Sequence, residues 1–132
     1  MKSAVLDSYA ILAFLFQERG HDQIVSLLEK AAEADKTLLI AAPNWAEVRY
    51  MTERKVGITK WREARDKLLG LPIEIVPVGQ ELAEMAGEIK TTKKMSLADC
   101  FAAALAKQQK AEIYTGDQEF RAVEHETKII WL

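Results

Sequence analysis

The stretch Ser3-Ala-Val-Leu-Asp-Ser-Tyr9 restricts the possible folds of this chain more than any other. Ala4, Val5 and Leu6 form an unbroken apolar run, the pattern of a strand covered on both faces, and Asp7 follows at once. A carboxylate is costly in that interior, so it marks the strand's exit. From Ser8 onward, Ile11, Leu12, Leu15 and Phe16 recur at helical spacing. The chain therefore leaves a buried strand at Asp7 and returns over it as a helix, the first half of a βαβ unit. In open α/β sheets ligands gather outside the carboxyl ends of the strands, which makes Asp7 a candidate functional residue.

A chain of 132 residues suits one domain, 1–132, burying roughly 65 to 70% of its unfolded surface. With 49% hydrophobic and 29% charged residues it has the make-up of a globular protein and not of a disordered one. A lone cysteine, Cys100, precludes an internal disulfide and argues against secretion. The first apolar run is too short for a signal peptide and nothing approaches a membrane span, so a cytoplasmic location is expected. A formal net charge of -2 offers no general attraction to nucleic acid, so any such contact must come from local basic patches.

Further along, Gly20 breaks the first helix and Asp22 is placed to cap a second, which carries Ile24, Leu27, Leu28 and Ala31 on one face and fades near Asp35. Leu38 to Ala41 reads as a second buried strand. Pro43-Asn44 closes it and caps a third helix, which Val56-Gly57 ends; Thr59 is placed to cap a fourth running to Gly70, so that the third and fourth form a hairpin. Ile73, Ile75 and Val76 make a third strand, less buried because of Glu74. A fifth helix from Gln80 to Lys90 leads through the polar connection Lys90-Thr-Thr-Lys-Lys94 to Ser96, which caps an alanine-rich helix from Leu97 to Gln109. Ile113 to Thr115 is a fourth strand, Gln118 to His125 a short helix, and Ile129 to Trp131 the last strand.

Asp7 and Asp117 directly follow strands, and Glu47 and Asp99 lie in the first turns of helices. Crossover helices run antiparallel to the strands, so all four acids belong at one rim of the sheet. Singly, each has an ordinary capping role: Asn44-x-x-Glu47 and Ser96-x-x-Asp99 resemble capping boxes, and Asp7 and Asp117 occupy N-cap or turn positions. Together they form a like-charge cluster with no evident basic residue among them. Each close pair would repel by on the order of 3 to 4 kcal/mol at an effective dielectric near 20, which calls for a cation. Hard oxygen ligands select Mg²⁺ or Mn²⁺.

Val5-Leu-Asp-Ser-Tyr-Ala10, Pro43-Asn-Trp-Ala-Glu-Val48, Ser96-Leu-Ala-Asp-Cys-Phe-Ala-Ala-Ala-Leu-Ala106 and Tyr114-Thr-Gly-Asp-Gln-Glu-Phe120 resemble, in order and spacing, the four motifs of PIN-domain nucleases. The small single-domain form is similar to the VapC-type toxins of toxin-antitoxin pairs. The resemblance implies a three-layer α/β/α fold with a five-stranded parallel sheet and a Mg²⁺ or Mn²⁺ site that cleaves RNA. By motif position it assigns the acidic residues as Asp7, Glu47, Asp99 and Asp117, with Ser8 and Thr115 as hydroxyls beside the metal. It also implies an antitoxin partner and a homodimer, to which Trp45, Tyr50, Trp61 and Phe14 are candidate contributors.

The chemistry expected is metal-assisted hydrolysis, with Asp7, Asp99 and Asp117 holding the ion directly or through water and Glu47 binding metal or orienting the attacking water. His21 and His125 lie away from the motifs, and Cys100 has no histidine placed to activate it. Lys90, Lys93 and Lys94 precede Asp99, where their charge suits a phosphate backbone. A phosphoacceptor receiver needs paired acids after the first strand and a haloacid-dehalogenase-like phosphatase an Asp-x-Asp; Asp7-Ser8-Tyr9 supplies neither. A PIN nuclease of RNA processing without a toxin role and a non-catalytic protein-binding module are the remaining alternatives.

Overall fold

The computed structural model describes residues 1–132. Five short strands form one parallel sheet: β1 (Ala4–Leu6), β2 (Leu38–Ala41), β3 (Ile73–Val76), β4 (Glu112–Thr115) and β5 (Ile129–Trp131), in the order β3-β2-β1-β4-β5. β1 is central and wholly buried, as its apolar run requires. Alternation along the strands splits the core in two. Ala4, Leu6, Leu38 and Ile40 face a layer made by α1 (Ser8–Leu15), α2 (His21–Glu33) and α3 (Ala42–Leu69). Val5, Ala41 and Ile113 face the opposite layer, α4 (Gln80–Thr92) and α5 (Leu97–Gln109). This is the expected three-layer α/β/α arrangement. α5 is buried over most of its circumference, and its run of Ala102, Ala103, Ala104 and Ala106 lets it lie close to the sheet beneath α4.

Several boundaries differ from expectation. Gly20, not Asp22, is the N-cap of α2, and Asp22 lies in the first turn, where its charge favours the helix dipole. α3 begins from Ala41 with Pro43 in its first turn, so Asn44 is an interior residue and not a cap. The third and fourth helices are two halves of α3, interrupted at Gly57 alone (φ 88°, ψ 171°), which leaves Thr59 inside the second half. The halves turn on one another, bringing the Trp45 and Trp61 rings to 5.5 Å. α4 continues through Thr92, shortening the connection to Ser96, and the segment after Asp117 is a 3₁₀ helix (Gln118–Val123) that stops before His125. No helix is long and apolar enough to cross a membrane. Of the candidate interface aromatics, Trp61 and Phe14 are buried, Trp45 packs partly against the core, and Tyr50 is exposed.

Gly57 and Gly87 give opposite expectations for one substitution. A Cβ on either meets nothing within 4 Å, so only the backbone decides. Gly57→Ala forces an L side chain into a region held almost only by glycine and should cost about 1 to 3 kcal/mol. Gly87→Ala, in the exposed interior of α4, should gain about 0.5 to 1 kcal/mol. Denaturant midpoints of the two variants moving in the same direction would contradict this account of the break in α3.

Candidate active site

The site begins where β1 and β4 end side by side, with Leu6 opposite Tyr114 in the parallel register. Asp7 is the N-cap of α1: one carboxylate oxygen accepts from the Ala10 amide at 2.9 Å. Its other oxygen accepts from the Thr115 hydroxyl, and Thr115 Oγ1 accepts in turn from the Asp117 amide at 2.9 Å. Asp117 caps the 3₁₀ helix by accepting from Glu119 N–H at 2.9 Å. For Asp7 and Asp117 the capping explanation therefore holds, and it accounts for one oxygen of each.

At the other two acids it does not hold. Ser96 Oγ caps α5 by accepting from the Asp99 amide at 3.3 Å, but the reciprocal acceptor for Ser96 N–H is Glu119, at 2.6 Å. The Asp99 carboxylate is thus left over, at 4% exposure, beside Asp117. Glu47 is held by two side chains instead of capping anything: Ser8 Oγ donates to it at 2.9 Å and the Asn44 amide at 3.2 Å. Asn44 is itself buried and donates also to the Ala98 carbonyl at 3.1 Å, tying α3 to the start of α5.

Carboxylate oxygens of Asp99, Asp117 and Glu119 lie within 4.8 Å of one another. Glu119 is an acid that the motif resemblance does not assign, although it stands two residues past Asp117 within the fourth motif. Glu47, Asp99 and Asp117 line one cleft of about 530 Å³ together with Ser8, Tyr9 and Arg19. Arg19 is a basic residue at the acid rim where none was expected. Asp7 sits below this surface, almost wholly buried, and Thr115 is buried beside it. Lys93 and Lys94 are not among the residues that line the cleft. Lys93 faces Glu126 at 4.0 Å, Lys94 is exposed, and Lys90 donates to the Met95 carbonyl at 2.7 Å. Of the remaining candidates, His21 Nδ1 is within 2.9 Å of the Phe14 carbonyl, His125 is exposed, and Cys100 is buried, which pushes its thiol up.

Burial is the main influence on Asp7 and pushes its carboxyl up to about 7; the Thr115 and Ala10 hydrogen bonds oppose this, and the charges of Asp117 and Glu47 add to it. Burial also leads at Asp99, pushed up to about 8, followed by the charge and close contact of Asp117 and then by Asp7. The donor set is all carboxylate oxygen, crowded and without a countercharge inside the cluster, which fits a hard divalent cation such as Mg²⁺ or Mn²⁺.

Both acids keep their protons to higher pH in the folded chain than in the unfolded one, where carboxyls of this type titrate near 3.8. Between the two ranges the folded state binds more protons. Their contribution to stability is therefore complete below about 4 and is lost as pH rises through about 7 to 8. In EDTA the protein should unfold at lower denaturant at pH 8.5 than at pH 6. Asp99→Asn should flatten that slope and raise stability at pH 8.5 by on the order of 1 to 3 kcal/mol, since it removes one close like-charge contact. Were Asp99 only a favourable charge at a helix start, the variant would instead lose some tenths of a kcal/mol to about 1 kcal/mol.

A family model for the PIN domain matches residues 4–126. No curated protein matches the chain by sequence. Among solved structures, VapC20 of Mycobacterium tuberculosis, described as a sarcin-ricin loop cleaving toxin, shares 19% identity and superposes with a TM-score of 0.70 over 92% of this chain and 95% of that one. DNA-bound VapBC from Salmonella typhimurium gives a TM-score of 0.78 at 14% identity, covering 98% of each chain. FitAcB from Neisseria gonorrhoeae gives 0.68 at 20% identity, covering 96% of each. At such identities the likeness carries the fold, and the fold agrees strand for strand with the five-stranded parallel sheet expected from the motifs. With the family model spanning nearly the whole length, the chain belongs to the PIN domain family.

Proposed function

We propose that this protein is a divalent-metal-dependent endoribonuclease that hydrolyses RNA phosphodiester bonds as the toxin of a toxin-antitoxin pair. The observation that carries the reading is the convergence of Asp99, Asp117 and Glu119 within 4.8 Å in a PIN-family chain, with Asp99 and Asp117 lining an open cleft. The relatives support it: VapC20 is described as a toxin that cleaves the sarcin-ricin loop, and VapBC5 of Mycobacterium tuberculosis as a member of the VapBC toxin-antitoxin family. An antitoxin is the partner, and a second copy of the chain pairs with the first. Tyr50, Met51 and Val56 on α3 offer exposed apolar surface for such contacts. The cytoplasm is the compartment in which RNA and a co-produced antitoxin meet it.

Asp99, Asp117 and Glu119 would hold Mg²⁺ or Mn²⁺, with Asp7 contributing its charge or a further oxygen from beneath. A bound ion of this kind offsets phosphate charge and lowers the pKa of water. The chain's own residues do the positioning. Ser8 and Asn44 fix the Glu47 carboxylate at the cleft wall, where it orients the attacking water or adds a ligand. Thr115 keeps Asp7 and the Asp117 backbone at a set separation. Lys93 and Lys94, on the approach to Ser96 and outside the cleft, offer charge to the RNA backbone beyond it.

Purified protein should cut single-stranded or looped RNA in Mg²⁺ or Mn²⁺ and stop in EDTA. Asp7→Asn should lower the rate by at least about two orders of magnitude, the scale on which loss of a preorganised electrostatic contact acts. Producing the wild type alone should slow growth, and the variant should not. Cleavage that persists in EDTA would remove the metal from the reading; cleavage without any effect on growth would remove the toxin role and leave the nuclease.

A further inference from the structure

Among the cleft residues that none of the acids needs are Tyr9 and Arg19. Tyr9 follows Asp7-Ser8, lines the cleft from α1 and is 38% exposed. Its position is fixed by an unusual neighbour. A Cβ on Gly116 would come within 2.3 to 2.8 Å of the distal ring atoms and hydroxyl of Tyr9, so the ring lies directly over a residue that must lack a side chain. Gly116 sits between Thr115 and Asp117, so the ring covers the backbone that presents the acids. The Tyr9 hydroxyl has no hydrogen-bond partner in the protein, and the exposed ring surface opens to the cleft.

Arg19 stands on the turn between α1 and α2, and this turn is braced on every side. Gln17 (φ 51°) and Gly20 (φ 95°) are left-handed, and a Cβ on Gly20 would meet Leu132 at 2.6 Å. The Glu18 amide donates to the Ala13 carbonyl at 2.9 Å, His21 N–H to the Glu18 carbonyl at 3.0 Å, and the His21 ring stacks on Phe14. Held there, Arg19 lines the cleft with Glu47, Asp99 and Asp117. It makes no ion pair, hydrogen bond or aromatic contact, whereas Arg49, Arg65 and Arg121 are each paired with a neighbouring acid. An unpaired guanidinium beside an acid cluster suits an anion that arrives with the substrate.

We propose that Tyr9 and Arg19 form the subsite for the nucleotide adjoining the scissile phosphate, Tyr9 stacking on its base and Arg19 pairing with a backbone phosphate of single-stranded RNA. This rests on the nuclease reading and adds the recognition of an unpaired base. Aromatic stacking is available to a base only when it is splayed from a helix, so the subsite selects looped or single-stranded RNA over duplex.

The test uses the full chain and a fluorescein-labelled single-stranded RNA 12-mer, with anisotropy in Ca²⁺ and cleavage in Mn²⁺, and the same 12-mer made with abasic positions. Tyr9→Leu keeps apolar packing over Gly116 without an aromatic face and should weaken binding about tenfold, with Tyr9→Phe recovering most of that loss. The Tyr9→Leu defect should vanish on the abasic oligomer, which a structural role would not produce. Arg19→Gln should raise KM more than it lowers kcat and reduce the salt slope of binding by about one, on both oligomers. Mn²⁺-induced thermal shifts should be the same for all the proteins, since neither residue is a ligand. Wild-type affinity in Tyr9→Leu, or equal defects on the two oligomers, overturns the stacking assignment while leaving the nuclease intact. A wild type that neither binds nor cuts the 12-mer or any other RNA overturns the nuclease reading itself.

Discussion

A single buried contact, the hydroxyl of Thr115 donating to Asp7, ties the carboxyl ends of β1 and β4 together at the rim, just beyond their backbone ladder. Because Thr115 also accepts from the Asp117 amide, the Asp117 backbone is set by the same contact. Both residues are almost fully enclosed, so no water competes for either partner. The apolar run Ala4–Leu6 makes the central strand unambiguous, and the acid that ends it is then trapped against the neighbouring strand. From that point Ser8 reaches Glu47, Asn44 links Glu47 to α5, and Glu119 links α5 to the turn after β4. The rim is closed by these polar links between elements that the two cores place but do not orient.

The same construction works against stability. Enclosing Asp7 and Asp99 near further acids pushes both carboxyls into the neutral range, so the chain keeps groups that it would be better folded without. Local capping does not account for the placement of Asp99 or Glu47, since Glu119 serves Ser96 and α3 starts from Ala41. A divalent cation bound there would relieve the crowding that folding imposes. Strain of this kind gathers at sites where a ligand supplies the missing charge.

How much of this the sequence shows depends on the kind of signal. β2, α5 and β5 have their expected limits because continuous apolar runs, a serine cap and closely spaced small residues each have one reading. The position of the break in α3 was visible in Val56-Gly57, but not that one residue's dihedrals suffice for the turn and the helix resumes at once. Asn44 looked like a cap because it follows proline, whereas the structure uses its amide across 54 residues to reach Ala98. Glu119 and Arg19 carry no signal for a common reason: both are exposed, one in a short 3₁₀ helix and one on a turn, where no periodicity marks the side that faces Asp99 and Asp117 or the cleft. Asp7, Glu47, Asp99 and Asp117 were legible because strand exits and helix starts fix a rim by topology alone.

If a cation completes this carboxylate cluster, its binding must displace protons that burial and neighbouring charge hold on Asp99 and Asp7. Calorimetric titration of Mn²⁺ into the protein at pH 7, repeated in buffers of different ionisation enthalpy, counts the protons released on binding. Saturable binding should release about one proton or more per ion, with both the release and the affinity reduced in Asp99→Asn. Binding without proton release, or an undiminished Mn²⁺ affinity in that variant, would contradict a cation at this cluster.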